Sequence, residues 1–334
     1  MLLSTLAVTC FFASAIGVGL FVRVASRARW LDVPNERSSH DVPTPLGAGV
    51  VIVIVVSAAL AWAAHAGLFH ADTTALATLI VAGISAVDDL RSLPSALRLI
   101  VHVACAVMVV LTVADTGLRD WSVPLMILAV IWIVGLTNVY NFMDGIDGIS
   151  GSQAVVAGVA FSLSALHIGY TGPAVAGLAI AAASAGFLVH NWPPARVFMG
   201  DVGSAFLGFS FAAMAVQIAS WSFAAAAAAV LSLWPFVFDA TLTFLRRALR
   251  GENVLQSHRS HLYQRLVVAG WSHQQVAVMY VVAAVVGAAA GQLRIGRVPF
   301  SLLLVPTMAG ALWALVVWQE ALISHRPAGR SVNR

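Results

Sequence analysis

Charged residues are scarce in this chain of 334 residues, and lysine is absent altogether. Only 10% of the residues are charged and 60% are hydrophobic, whereas soluble proteins average about 25% charged residues. This composition argues against a soluble globular protein, because its surface would hold too few polar groups, and it makes the lipid bilayer the natural solvent. No stretch has the composition of a separate soluble unit, so residues 1–334 are predicted to form a single integral membrane domain.

Cysteine is also rare. Cys10 and Cys105 both lie in apolar runs, where cysteine behaves as a small hydrophobic residue. Two isolated cysteines offer neither a disulfide framework nor the spacing of a zinc site, and we predict neither.

Apolar segments recur from one end of the chain to the other. A run of about 20 apolar residues is long enough to cross the hydrocarbon core as a helix, and a helix satisfies its own backbone hydrogen bonds there. The pattern therefore predicts an all-α fold, a polytopic transmembrane bundle of about 10–11 helices. The predicted spans are 2–22, 47–66, 73–88, 97–114, 122–140, 151–169, 172–190, 203–219, 222–245, 274–293 and 299–323.

The distribution of arginine indicates how the spans are oriented. No basic residue precedes the first span, and Arg23, Arg27 and Arg29 follow it, which favours a retained helix with its N-terminus outside over a signal peptide. Alternating from that start places 15 of the 18 arginines in cytoplasmic loops or the C-terminal tail. The basic balance is therefore mostly a topology signal and does not indicate a nucleic-acid partner. Because the polar loops share this side, function is predicted to reside on the cytoplasmic face of the membrane.

Carboxylates near membrane helices are the strongest functional signal, because an ionised side chain at the helix centre costs about 2.5–3.5 kcal/mol. Asp88 and Asp89 close the third predicted span. Adjacent carboxylates repel each other unless a cation or a hydrogen-bond donor is near. They are interpreted either as two solvated acids at a loop or as part of a metal and phosphate site.

A run of oxygen-bearing side chains recurs every three residues: Asn138, Asn141, Asp144 and Asp147. Neighbours at i and i+3 share a helix face, but all four converge only if the helix tightens or breaks, which Gly145 and Gly148 permit. Such a set predicts a hard oxygen-ligand site suited to Mg²⁺. The alternative is that these residues are ordinary helix caps.

Two further acids lie later in the chain, one just before a predicted span and one inside a span. The segment Phe198–Ser204 places Asp201 between glycines before a predicted helix, which is typical of helix capping but also lets a backbone approach a phosphate closely. It lacks the Gly-Lys-Ser/Thr signature of a Walker phosphate loop. Asp239 lies inside a span, either as a packed and paired residue or as part of a cavity wall.

Arginine and histidine mark the longest internal loop. Three residues there could bind a phosphate: His258, Arg259 and His261. An arginine can bind phosphate through two N–H donors at once, and a histidine can donate a further hydrogen bond. The two histidines have a zinc-like spacing, but no third ligand is near, so zinc is not predicted. His40 belongs to a polar cluster in the first internal loop, where a solvated loop is the simpler interpretation.

Taken together, these motifs resemble the polyprenyl-phosphate N-acetylhexosamine-1-phosphate transferases of glycosyl transferase family 4. The matching segments span about residues 30–265, in the family's order: Asp32–His40 with Pro43–Pro45, Asp88-Asp89, Asn138–Gly151, Phe198–Ser204 and His258–His261. The Ser-Ser-His and His-Arg-Ser-His forms are most similar to the branch that starts O-antigen synthesis. The chain departs from the family pattern at Ser38, where Lys is common, and at Leu46, where Arg is common.

The resemblance implies an activity and roles for individual residues. The enzyme would move an N-acetylhexosamine 1-phosphate, of GlcNAc or of a deoxy sugar such as FucNAc or QuiNAc, from a UDP-sugar to undecaprenyl phosphate in the membrane, and release UMP. Relatives of this kind depend on Mg²⁺ or Mn²⁺ and often form homodimers. Asp201 and Asn141 would ligate the metal, and Asp88, Asp89 and Asp144 would be catalytic, with Asp88 positioning the lipid phosphate. The implied substrate-binding residues are Asn138, Asp147, His258, Arg259, His261, Arg98 and His40.

Two other function classes remain open from the residues alone. A transporter could also use intramembrane carboxylates, but it predicts polar residues spread through the midplane and an internal repeat, and neither pattern is visible. A non-catalytic membrane scaffold would leave the ordered acidic motifs unexplained.

Overall fold

The computed structural model describes residues 2–34, 42–68, 73–116, 120–253, 259–298 and 301–324. Helices form most of this part of the chain. The α-helices are α1 Leu2–Ala28, α2 Gly49–His65, α3 Thr73–Arg91, α4 Ser95–Asp115, α5 Val123–Phe142, α6 Ile149–His167, α7 Thr171–Asn191, α8 Asp201–Trp221, α9 Phe223–Val230, α10 Trp234–Leu249, α11 Leu262–Val268, α12 His273–Ile295 and α13 Leu304–Ser324. Two short strands, β1 Leu31–Asp32 and β2 Thr44–Pro45, pair antiparallel in the first polar loop.

Among the described residues, nine helical segments are long and apolar enough to cross a membrane. They are α1, α3 to α8, the continuous segment Phe223–Leu249 that contains α9 and α10, and α12. Gly49–His65 and Leu304–Trp318 are shorter apolar helices. The predicted all-α polytopic fold is therefore confirmed.

One predicted span is not a single regular helix. Residues 222–245 were expected to be continuous, but a 3₁₀ turn at Leu231–Leu233 separates α9 from α10. Pro235 lies in the first turn of α10. Proline is tolerated there because N–H groups in the first turn of a helix have no partner within that helix. The 3₁₀ turn thus interrupts the α-helical hydrogen-bond pattern, and α10 then continues to Leu249.

Helix α8 is the central element of the bundle. All of its residues from Val202 to Ser220 are buried, and it packs mainly between α3, α5 and α9. A helix that is apolar on every side is expected in such a position. Because α8 begins at Asp201, its place at the centre of the bundle fixes the acidic residue at its N-terminus.

Small residues bring the first polar loop against the start of α8. Gly49 opens α2 and lies against Gly203, so closely that a side chain at Gly49 would meet the Gly203 nitrogen at 2.6 Å and the Met199 carbonyl oxygen at 2.8 Å. Small residues at helix crossings allow such close backbone approach in membrane proteins. The crossing of α2 and α8 therefore sets one side of the functional site.

Candidate functional site

A cavity of about 370 Å³ opens at one end of the bundle. The ends of α3, α5 and α7 meet the starts of α8 and α12 there, as expected for spans that run alternately up and down. Five acids and several polar groups line it: Asp32, Asp89, Asp144, Asp147, Asp201, Asn141, Asn191, Ser204, Gln264 and His273. Most of the acidic residues that the sequence motifs contain therefore lie at one end of the bundle.

The backbone between Phe198 and Gly200 forms the floor of this end. The Phe198 N–H donates to the Pro45 carbonyl at 2.8 Å, and the Phe198 carbonyl accepts from the N–H groups of Gly47 and Ala48 at 3.2 and 3.1 Å. Gly200 has a φ of +75° and lies so close to Gly47 that a side chain would meet its Cα at 2.9 Å. Glycine is needed at Gly200 for both reasons, and the first polar loop is thereby joined to the start of α8.

Asp89 caps the N-terminus of α8. One carboxylate oxygen accepts from the Asp201 N–H at 2.8 Å, and the other accepts from the Val202 N–H at 3.0 Å. The sequence allowed these amides to face a phosphate, because a helix N-terminus favours anions. In the structure a carboxylate of the protein itself takes that position, so the α8 amides are already hydrogen-bonded.

Asp88 points to a different partner from that of its neighbour. Its carboxylate pairs with the Arg98 guanidinium and accepts the Leu93 N–H at 2.5 Å. The same Arg98 nitrogen donates to an Asp201 oxygen at 2.6 Å. Arg98 thus bridges the acids of α3 and α8, and among the described residues the cavity lining includes Asp89 but neither Asp88 nor Arg98.

The turn between α5 and α6 carries the acidic motif, as the glycines predicted. Helix α5 ends at Phe142 and α6 begins at Ile149, and Gly148 has a φ of +75°. Asn191 holds this turn from the side, because its side-chain oxygen accepts the Gly148 N–H at 3.0 Å. The break brings Asn141, Asp144 and Asp147 to the cavity, whereas Asn138 donates to the Val134 carbonyl in its own helix at 2.7 Å and lies outside the lining.

Asp144 lies in this turn, outside the membrane-spanning helices. Burial, and to a smaller extent the nearby carboxylates of Asp201 and Asp89, raise the pKa of its carboxyl from 3.8 to about 7. Like charges that share a site oppose each other's ionisation. This end of the bundle is therefore electrostatically poised to bind a cation.

Asn141 and Asp201 are brought together from two helices. Asn141 donates to the Ser204 hydroxyl oxygen at 2.9 Å, and Asp201 begins the same helix three residues earlier. Both line the cavity. The structure thus unites the two residues that the resemblance implies as metal ligands.

Asp147 lies in the turn between α5 and α6 and also lines the cavity. One of its oxygens accepts the Ala195 N–H at 3.0 Å, and the other lies 3.3 Å from Nδ1 of His273, the first residue of α12. His273 was not singled out from the sequence. A polar residue at the start of a span, on the same side as the other motifs, was the only signal that could have identified it.

The His-Arg segment is partly described. His261 is buried and its Nδ1 lies 3.1 Å from an Asp239 oxygen, so its ring faces the interior of the protein. Arg259 is half-buried close to Tyr263. Gln264 lines the cavity and was also missed, because its spacing from His261 is that of a helix cap. The predicted substrate-binding residues His40 and His258 lie outside the described residues.

Asp239 is a packed and paired residue, which decides between the two alternatives left by the sequence. It is fully buried, and its two oxygens accept hydrogen bonds from backbone and side-chain donors. The cavity-wall interpretation is wrong, since Asp239 is not among the lining residues of the described chain.

The residues present fit a magnesium ion. Mg²⁺ prefers oxygen ligands and is commonly bound through one or two carboxylates, several waters and substrate phosphates. Asp201 and Asn141 supply such oxygens, beside the like-charged Asp144 and Asp89. Among the described residues, no three His, Cys, Asp or Glu side chains already form a metal-ligand cluster. These few protein oxygens therefore suit a metal ion that keeps several water ligands. They do not suit a metal ion whose ligands all come from the protein.

Comparison with known proteins links this site to a family. Residues 73–219 match the family described as Glycosyl transferase family 4. A protein of Bacillus subtilis named "Probable undecaprenyl-phosphate N-acetylglucosaminyl 1-phosphate transferase" is 30% identical over 301 residues, which cover 85% of this chain and 82% of that protein. A decaprenyl-phosphate N-acetylglucosaminephosphotransferase of Mycobacterium leprae is 28% identical over 82% of this chain and 78% of its own length. A phospho-N-acetylmuramoyl-pentapeptide-transferase of Lactiplantibacillus plantarum is 33% identical, but over only 30% of this chain and 32% of its own.

Proposed function

Because the chain belongs to glycosyl transferase family 4, we propose that it transfers an N-acetylhexosamine 1-phosphate from a UDP-sugar to a polyprenyl phosphate. The observation that carries the proposal is the cavity at the bundle end, where Asn141, Asp144 and Asp201 meet beside Arg98. The acceptor would be undecaprenyl phosphate and the other product UMP. The names of the relatives make UDP-N-acetylglucosamine the first donor to test.

The reaction exchanges one phosphoanhydride bond for another. An oxygen of the lipid phosphate attacks the phosphorus next to the sugar, the bond from that phosphorus to the UMP phosphate breaks, and UMP leaves with the electron pair. A phosphate dianion needs no strong base near pH 7. Positioning of the two phosphates is therefore the main task of the protein's residues.

Side chains around the cavity divide this task. Asp201 and Asn141 would hold Mg²⁺, with Mn²⁺ as an alternative, and the ion would offset the negative charge of the phosphates. Arg98 lies between Asp88 and Asp201 with 30% of its side chain exposed, so a phosphate arriving from the membrane edge could share its guanidinium. Asp88 would orient Arg98 and the lipid phosphate, and Asp89 would hold the start of α8 in place.

In this proposal, other residues around the cavity recognise the UDP-sugar. Asp147, fixed by Ala195 and near His273, would contact the uracil. Arg259 would bind the pyrophosphate or the sugar, and His261 would support that segment from within. We further propose that the cavity faces the cytoplasm, that the protein works as a homodimer in a bacterial inner membrane, and that its product starts an O-antigen or a related envelope glycan.

The test is an assay of UMP release by the purified protein with undecaprenyl phosphate, Mg²⁺ and a panel of UDP-N-acetyl sugars. Release that requires both the lipid and the metal, and that EDTA abolishes, is the expected result. Absence of UMP from every donor, with folded protein, would contradict the proposal. A counterflow assay in vesicles would then test the transporter alternative.

Asp201→Ala tests the metal assignment. We expect its turnover to fall by at least about 10²–10³-fold, as when a principal charge-stabilising group is lost. Asp115→Ala is the control. Asp115 ends α4, at the other end of that helix from Arg98, so this variant should keep full activity. Near-normal turnover by folded Asp201→Ala protein would show that Asp201 is not a ligand.

A further inference from the structure

The most fully satisfied buried acid of the described chain lies outside the cavity. Asp239 of α10 is 0% exposed, and five donors converge on its carboxylate. The donors are the Leu262 N–H at 2.8 Å, the Tyr263 N–H at 3.1 Å, the Tyr280 hydroxyl at 2.6 Å, the His261 Nδ1 at 3.1 Å and the Thr243 hydroxyl at 3.2 Å. Buried polar groups carry a large penalty unless they are fully hydrogen-bonded, and this one is.

These donors come from three separate elements. Thr243 lies in the same helix as Asp239, Tyr280 lies in α12, and the other three begin α11. The N–H groups at the start of a helix lack partners within that helix. Asp239 therefore supplies from α10 the cap that α11 needs, and a single carboxylate ties α11 to both α10 and α12.

Helix α11 contacts the cavity in two ways. Gln264 lines the cavity directly. The Tyr263 hydroxyl donates to the Phe142 carbonyl at 3.1 Å, at the point where α5 ends and the acidic turn begins. That hydroxyl lies against Gly145, where a larger residue would clash with it. The position of α11 thus determines one wall of the cavity and braces the turn that carries Asp144.

We infer that Asp239 is a positioning residue that holds α11, and with it Gln264, Arg259 and the acidic turn, in the geometry that binds the sugar-nucleotide donor. The inference rests on the proposed function for the identity of that ligand. Asp239 acts through backbone and side-chain hydrogen bonds and does not touch the substrate. Among the described residues, no hydrogen bond or ion pair joins Asp88 or Arg98 to this network, so the α3–α4 side should serve the lipid independently of it.

Asp239→Asn is the direct test, because it keeps the shape of the side chain but directs an NH₂ group at neighbours that are all donors. The KM for the UDP-sugar should rise at least tenfold, while the KM for undecaprenyl phosphate stays within twofold. Hydrogen exchange, followed by mass spectrometry, should become at least tenfold faster in peptides that cover residues 261–264. A general loss of packing would instead raise the KM values for both substrates and increase hydrogen exchange throughout the bundle, and that result would contradict a specific positioning role.

A milder variant and a matched control complete the experiment. Tyr280→Phe removes one donor and leaves both backbone caps, so we expect the same changes at two- to fivefold. Gln217→Met removes a buried hydrogen bond to Thr74, 3.0 Å long and far from the cavity, and should leave the exchange of residues 261–264 unchanged.

The outcomes separate the two proposals. Unchanged exchange and an unchanged donor KM in Asp239→Asn would overturn the positioning role even if the wild-type enzyme is active. If wild-type protein releases no UMP with any donor, the proposed function fails, yet the exchange experiment still decides whether Asp239 holds α11. Should Asp239→Asn not fold, Tyr280→Phe decides alone, and its lack of any effect on exchange and donor KM would overturn the inference.

Discussion

Asp88 and Asp89 are neighbours in sequence with different surroundings. Asp89 turns inward, and its two oxygens accept the first N–H groups of α8, whereas Asp88 faces Arg98. Consecutive helical residues point about 100° apart, so one of the pair can cap α8 while the other pairs with Arg98. The sequence grouped them as one catalytic pair, because nothing in an Asp-Asp dipeptide indicates which carboxylate is directed towards another helix.

The titration of Asp144 gives a prediction about pH. Its pKa of about 7 lies above the ordinary value of 3.8, so the folded protein holds this proton more tightly than the unfolded chain does. Between about pH 4 and pH 7 the folded state binds more protons, and this group's contribution to stability is lost as the pH rises through that window. Without metal, the unfolding temperature should therefore fall from pH 5 to pH 7.5.

Asp144→Asn cannot ionise and should flatten that slope in thermal unfolding measured in EDTA. Asp115→Asn, at the far end of the bundle, should keep the wild-type slope. Added Mg²⁺ should also reduce the slope in the wild type, since a nearby cation favours the ionised carboxyl. Parallel curves for Asp144→Asn and the wild type would contradict the raised pKa.

At the scale of elements, the crossing of α2 and α8 is a packing constraint that can be measured. A methyl group added at Gly49 would meet backbone atoms of Gly203 and Met199, which cannot rotate away as a flexible side chain can. Overpacking of this kind typically costs about 1–3 kcal/mol. We expect Gly49→Ala to lower the free energy of unfolding by that amount and to reduce activity, because the crossing also sets the floor at Phe198–Gly200.

The control for this prediction is Gly83→Ala in α3, where no atom lies within 4 Å of the added methyl group. It should be neutral or slightly stabilising, since alanine favours a helix over glycine by up to about 1 kcal/mol. Denaturation in detergent micelles gives both values. Equal stabilities for the two variants would show that the crossing of α2 and α8 has room for a methyl group at position 49.

Sequence reasoning was most successful for elements that depend on local properties. Hydropathy located the spans, and glycine placed the break between α5 and α6 that carries Asp144. The 3₁₀ turn before α10 was missed, because hydropathy stays high through Leu231–Leu233. Gln264 and His273 were missed because they reach the cavity only through the packing of α11 and α12, and no local pattern encodes that packing.

At the scale of the whole molecule, the orientation in the membrane remains a prediction that labelling can test. Asp120 and Arg250 are exposed residues at opposite ends of the bundle. The two native cysteines are only 2% and 4% exposed, so their background reaction with a maleimide should be low. An impermeant maleimide applied to intact spheroplasts should label Asp120→Cys but should label Arg250→Cys only after permeabilisation. The opposite pattern would place the cavity outside the cytoplasm.

The complete enclosure of α8 also bears on how the molecule is made. A membrane helix enters the bilayer because it is apolar enough to leave the insertion machinery, yet in the finished molecule no side chain between Val202 and Ser220 is left exposed to lipid. Part of its enclosure comes from α9, which follows it in the chain. A nascent chain that ends at Trp221 therefore presents to lipid a surface of α8 that the next helix later covers. The apolar surface of α8 is therefore needed first for insertion into lipid during synthesis and later for packing against α9.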